Sequence, residues 1–256
     1  MGVMVWSEID VQSARQVQVT VPDRTSLLDD LGQHMAQGRG FALATLNLDH
    51  VVKLRQSPDF RLAYLAQSHV TADGNPIVWL CRLAGQRVAL IPGSELIMPL
   101  AEVAAAQRVP VALVGSTQNT LALAAQRLKQ RIPGLEVVLQ LAPPMGFDPT
   151  GAGADAVIAA IDNSGAGLCF LALGAPKQEM LAARAYAALP GVGFVSIGAG
   201  LDFIAGHQRR APRLVRMLAA EWLWRLAGNP RRLAARYGAC LWALPGLTVK
   251  AIRVRG

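Results

Sequence analysis

Charged residues are scarce in this chain of 256 residues. Asp, Glu, Lys and Arg make up 16%, against 52% hydrophobic residues. So apolar a composition excludes intrinsic disorder. The length gives room for one substantial core and an appendage. Cysteine is also scarce: Cys81, Cys169 and Cys240 are odd in number and far apart. They form no disulfide framework and no metal-ligand spacing, so the expectation is a reducing, cytosolic compartment. No uninterrupted apolar run reaches the roughly 18–20 residues of a spanning helix. The segment from Met1 to Thr20 carries Glu8, Asp10 and several glutamines, and it is not expected to be a signal peptide.

Several chemical signatures are missing as well. The sequence has no Gly-x-Gly-x-x-Gly fingerprint, no Walker lysine motif and no nucleophile elbow. The Asp-x-Asp pattern of many metal-dependent sugar-nucleotide enzymes is absent. His34, His50, His69 and His207 show no metal-ligand spacing, so neither a metal nor another cofactor is expected.

What is present is organised. Net charge is +8, and its distribution is uneven. Eleven Arg or Lys and one acid, Glu221, lie between Arg209 and Arg255, giving that segment +10 and the remainder −2. Such asymmetry points to a polyanionic partner, either nucleic acid or an anionic membrane face.

Along the chain, strand-like and helix-like segments alternate. Strands are expected at 41–45, 69–72, 109–114, 135–141, 167–173 and 193–197. Helices are expected at 48–56, 58–66, 77–83, 119–131, 154–163 and 177–188. This alternation implies a mostly parallel sheet with right-handed crossovers and helices on both faces. Composition shifts after Gly206, so the expected division is an α/β domain over 1–206 and a basic helical appendage over 207–256. Within the appendage, helices are expected at 212–226 and 231–242, with Pro245-Gly246 opening a basic tail. Trp222, Trp224 and Trp242 accompany its arginines, as in a helix lying in a membrane interface. Two ordinary surface helices packed on the core are the plainer alternative.

Glycines mark three strand ends: Gly115-Ser116-Thr117, Gly174-Ala175-Pro176 and Gly198-Ala199-Gly200. Glycine lets a phosphate or ribose approach the backbone, and helix N-termini favour anions. Three such turns on one sheet edge favour a nucleotide-like ligand, although βα loops need turns anyway. Lys177, Gln178 and Glu179 follow the Gly-Ala-Pro turn at the end of a buried strand, where open α/β sheets hold ligands. Asp73 ends a short strand beside Gly74. It can serve as a general base or cap the helix that follows. Thr45 and Asn47 end the strand from Phe41 and share one face, with a turn or cap as the alternative.

Thr45-Leu-Asn47, Ala72-Asp73-Gly74, Gly174-Ala-Pro-Lys-Gln-Glu179 and Gly198-Ala-Gly-Leu-Asp-Phe-Ile-Ala-Gly206 occur in that order. Arg210-Ala-Pro212 and Glu221-Trp-Leu-Trp-Arg225 follow. This series, from about residue 40 to about residue 240, resembles the WecG/TagA/CpsF family of glycosyltransferases, glycosyltransferase family 26. The resemblance implies a Rossmann-like fold and an inverting, metal-independent transfer of a sugar from a UDP donor. The acceptor would be a polyprenyl-diphosphate-linked saccharide at the cytoplasmic face of the plasma membrane. The products would feed exopolysaccharide or another cell-surface polysaccharide, with glucosyl transfer preferred and an N-acetylmannosaminyl-type donor as the other option. It leaves self-association open.

Residue by residue, the resemblance makes Asp73 the base, a role compatible with capping. It places Thr45, Asn47, Arg87, Lys177 and Glu179 by the substrates and Gln178 near the reacting carbon. Gly115, Ser116, Gly174, Gly198, Gly200 and Asp202 would line the donor cleft, with Asp202 at the uridine. Arg210, Arg225, Arg232 and Arg236 would meet diphosphate or membrane, since bidentate arginine suits that charge. Glu95 stands where relatives often carry Asp, and Ala234 and Ala235 replace basic residues. A non-catalytic nucleotide-binding module and a nucleic-acid-binding protein are the competing classes. The second lacks stacking platforms and a basic stripe over the core.

Overall fold

The computed structural model describes residues 17–207 and 230–255. The run Phe41–Leu46 is buried along its whole length, as a strand covered on both faces must be. It is β1, the second strand of a six-stranded sheet. The others are β2 (His69–Ala72), β3 (Val111–Gly115), β4 (Val137–Leu141), β5 (Leu168–Ala172) and β6 (Gly193–Ser196). Their order is β2-β1-β6-β5-β3-β4, and every pairing is parallel. The fold is therefore α/β, as the alternating pattern predicts.

The helices are α1 (Arg24–Ala36), α2 (Leu48–Gln56), α3 (Pro58–Leu65), α4 (Asn75–Leu83), α5 (Gly93–Ala106), α6 (Gln118–Arg131), α7 (Ala152–Asn163), α8 (Lys177–Ala188), α9 (Gly200–Ala205) and α10 (Pro230–Arg255). One face of the sheet packs Phe41, Leu43, Leu113, Phe170 and Val195 against α1, α5, α6 and α9. The opposite face has two clusters. Ala44, Leu46, Val70 and Ala72 meet α2, α3, α4 and α10. Val114, Cys169, Leu171 and Phe194 meet α7 and α8. Alternate residues of each strand thus feed opposite cores.

β3 and β5 are neighbours, yet their crossovers leave in opposite directions. α6 leads outward to β4 on one face, and α8 leads inward to β6 on the other. Their carboxyl ends therefore form a topological switch point, where open α/β sheets have a crevice for ligands.

Three expectations need correction. Helices α1 and α5 lie where no helix was expected. α1 has a legible start, because Asp23 caps it by accepting the Ser26 N–H at 2.9 Å. α5 is apolar nearly throughout and contains Pro99, which hides its period. The third concerns the C-terminal segment, expected to leave the helix after Trp242. Instead α10 continues through Pro245 to Arg255. An internal proline costs about 3 kcal/mol. Cys240, Ala243, Leu247 and Ala251 are buried at successive turns, three of them in the cluster shared with α4. That burial offsets the proline, since one Leu alone contributes about 1.5–3 kcal/mol.

Candidate functional site

All six strands point their carboxyl ends to one edge, so the βα turns of distant segments converge there. At one side of that edge β1 and β2 are in register, Thr45 opposite Thr71 and Leu46 opposite Ala72. Asp73 continues the ladder by donating its backbone N–H to the Leu46 carbonyl at 2.8 Å. Its carboxylate oxygen Oδ2 lies 3.4 Å from Thr45 Oγ1. Gly74, at φ 93°, is the N-cap of α4. Asn47 does cap. Its Oδ1 accepts the His50 N–H at 3.0 Å and starts α2.

A buried polar chain supports Thr45 from beneath. Tyr64 donates its hydroxyl to the Thr45 carbonyl at 3.0 Å, and the His50 Nδ1 lies 2.6 Å from the Tyr64 oxygen. Burial holds His50 neutral, with its pKa lowered to about 3.

The Gly174–Glu179 segment forms the next wall. Gly174 turns at φ 72°, and the Ala175–Pro176 peptide is cis. Gln178 is only 2% exposed. Its side-chain carbonyl accepts the Gly198 N–H at 3.0 Å, and its amide donates to Glu179 Oε1 at 2.8 Å. Gln178 therefore ties the end of β5 to the end of β6. Glu179 is fully buried, and burial pushes its pKa up to about 7. Lys177 lies at the first turn of α8.

At the switch point Gly115 has φ 115°, and a Cβ there would collide with the Ala172 carbonyl. Ser116 also has a positive φ, 53°, which is uncommon outside glycine and stores strain of about 1–3 kcal/mol. The turn brings the Ser116 hydroxyl within 3.3 Å of Asp202 Oδ1. Gly200 packs α9 against α5, since a Cβ would sit 2.5 Å from Ile97 Cδ1. Gly93 plays a similar part for α5: a Cβ there would stand 2.7 Å from the Ser196 carbonyl and 3.1 Å from Thr45 Cγ2. Glu95 follows in the first turn of α5, and its carbonyl accepts from Arg24 at 2.7 Å.

The edge thus gathers Thr45, Asn47, Asp73, Gly115, Ser116, Gly174, Lys177, Gln178, Glu179, Gly198, Gly200 and Asp202. Arg87 lines a depression of about 910 Å³ with Pro22, Asp23, Arg82 and Gln86. It stands three residues before Leu90, which pairs with Ala72 at the end of β2. Arg236 of α10 is paired with Asp49, Nε to Oδ1 at 3.0 Å. Arg210 and Arg225, and the expected helix 212–226, lie outside the described residues, as does the side chain of Arg232. Among the described residues no group of three His, Cys, Asp or Glu is placed to hold a metal. Asp49, Lys53, His50 and Tyr64 were not anticipated, although the Asp49–Lys53 spacing on a predicted helix signals an i,i+4 pair.

Chemically, the edge offers a carboxylate beside a hydroxyl at one end. At the other it offers glycine turns at the strand ends and a second carboxylate, Asp202, within 3.3 Å of the Ser116 hydroxyl. A family model for the glycosyl transferase WecG/TagA/CpsF family matches residues 13–255.

Proposed function

Because the chain belongs to the glycosyl transferase WecG/TagA/CpsF family, we propose that it moves a hexosyl group, with inversion, from a UDP-sugar to a polyprenyl-diphosphate-linked saccharide. Membership makes it a glycosyltransferase of cell-surface polysaccharide synthesis; the donor, the acceptor and the residue roles are our reading. The observation that carries this reading is the Asp73 carboxylate fixed at the end of β2 beside Thr45, on the sheet edge that also bears the topological switch point.

In this reading Asp73 removes the proton of the acceptor hydroxyl as that oxygen attacks the anomeric carbon. The bond from that carbon to the diphosphate oxygen breaks, and UDP leaves with the electron pair. Single displacement inverts the centre. Thr45 and Asn47 line the sugar subsites. Gln178 acts by holding Gly198 in place, with its own polar atoms engaged. Gly115, Ser116 and Gly174 let the donor approach the backbone, and Asp202 takes the uridine end. Charge on the leaving diphosphate falls to helix N-termini, backbone N–H groups and appendage arginines, without a metal. Glucosyl transfer is our preferred donor specificity.

The outer face of α10 supports a peripheral place on the cytoplasmic membrane surface. Trp242 is 89% exposed and Leu241 57%, with Arg253 and Lys250 on the same helix. No helix among the described residues is long and apolar enough to cross a membrane. The test is transfer: the full chain is offered a panel of UDP-sugars with a polyprenyl-diphosphate-linked saccharide. Glycosylated lipid product supports the reading. Absence of product from every donor, with UDP failing to bind, defeats it.

A further inference from the structure

Resting on the transferase reading, we propose that Asp49 and Lys53 are positioning residues that carry the seating of α10 into the Gly174–Glu179 segment. The contacts run in series. Arg236 Nε of α10 meets Asp49 Oδ1 at 3.0 Å. The other oxygen, Asp49 Oδ2, meets Lys53 Nζ at 2.8 Å. Lys53 Nζ donates in turn to the Ala175 carbonyl at 3.2 Å. Three residues further on, Gln178 holds the Gly198 N–H.

An exposed i,i+4 ion pair contributes little and needs no third partner. This one differs in two respects. The Asp49 side chain is only 10% exposed, so solvent and salt screen it weakly. Its two cations also link distant parts of the fold: Arg236 belongs to the C-terminal helix, and Lys53 reaches a loop carbonyl 122 residues away in sequence. The surroundings agree. Burial and Asp49 raise the pKa of Cys240 on α10 while Arg236 and Lys53 oppose them, and the Glu179 carboxyl feels Lys53 and Asp49. One charge cluster therefore faces both the helix and the loop.

The direction of coupling follows from charge balance. With α10 seated, Asp49 divides its charge between Arg236 and Lys53, and Lys53 keeps a donor for the Ala175 carbonyl. If α10 lifts, Asp49 draws the ammonium towards itself, and the turn before Gln178 loses a contact. Docking of the helix is in this way felt at the catalytic edge.

The test uses the full chain in the transfer assay, with Lys53→Met, Lys53→Arg, Arg236→Gln and the double variant Lys53→Met/Arg236→Gln. Lys53→Met lowers kcat about tenfold with KM for the donor within about twofold, because the loop is misplaced while donor contacts persist. Lys53→Arg restores most of the loss. In the double variant the Arg236 change adds nothing, since the series is already cut. A Lys53→Met enzyme with kcat within about twofold of the parent, or losses that multiply independently, overturns the proposal. Amide exchange gives a readout independent of chemistry: residues 174–179 and Gly198 exchange at least about threefold faster in Arg236→Gln. Unchanged exchange overturns the coupling even where transfer is normal. Faster exchange without transfer from any UDP-sugar sinks only the transferase reading.

Discussion

Thr45 and Asp73 stand side by side at the ends of adjacent parallel strands, Oγ1 to Oδ2 at 3.4 Å. The Asp73 backbone is itself a rung of the ladder, bonded to Leu46 at 2.8 Å. The carboxylate is therefore held by the sheet, with no need of a flexible loop to aim it. Asp73→Asn keeps the shape and removes the proposed base. Transfer should fall by about a hundredfold or more, with UDP affinity within about threefold of the parent. Steady-state transfer and calorimetric titration of UDP measure the two halves. Near-normal turnover would remove Asp73 from its role.

Burial pushes the Glu179 pKa up from 4.5 to about 7. Between those values the folded chain binds more protons than the unfolded chain, so stability declines as pH rises. The contribution is complete below about pH 4.5 and is lost as pH rises to about 7, amounting to about 3 kcal/mol at most. Glu179→Gln removes that decline, so the variant gains on the parent from pH 5 to pH 8. Urea unfolding at a series of pH values, read as variant minus parent, checks this. The difference also cancels His50, which is held neutral and acts in the opposite sense, losing stability as pH falls from 6.5 towards 3. A flat difference curve would mean that Glu179 is not protonated in the native state.

Gly115 has φ 115°, and a Cβ there meets the Ala172 carbonyl. Gly115→Ala should destabilise the fold by about 2 kcal/mol or more, through backbone strain and a steric clash against a neighbouring strand. It should also weaken UDP binding, because the end of β3 must shift away from β5. Thermal unfolding and UDP titration report these separately. A variant as stable as the parent would show that the turn relaxes freely.

Leu241 and Trp242 are exposed on α10, while Ala243 and Leu247 on the same helix are buried. Leu241→Glu with Trp242→Glu should therefore leave stability within about 0.5 kcal/mol of the parent. Sedimentation with anionic vesicles should fall several-fold. Leu247→Asp, by contrast, should unfold the contact with the core. Undiminished vesicle binding by the first variant would place membrane attachment elsewhere.

The polar edge was legible where the signal is local. Gly-Ala-Pro after an apolar run marks a strand end, and Ser57-Pro58 and Thr117 mark helix starts because their side chains cap the helices that follow. Gln178 shows where legibility stops. Its polarity suggests contact with substrate, yet it is buried and bonded to Gly198, whose position depends on the pairing of β5 with β6. The continuation of α10 through Pro245 could not be read either, because intrinsic propensity opposes it and tertiary burial prevails.

By itself the sequence determined the α/β class, the parallel strands and the residue types at their ends. These follow from the period of apolar residues and from turn chemistry, which act over a few positions. The tertiary structure decided the strand order β2-β1-β6-β5-β3-β4 and with it the switch point, the meeting of Thr45 with Asp73, and the path from Arg236 to Ala175. Those relationships join residues far apart in sequence, and only packing on both faces of one sheet brings them within hydrogen-bonding distance.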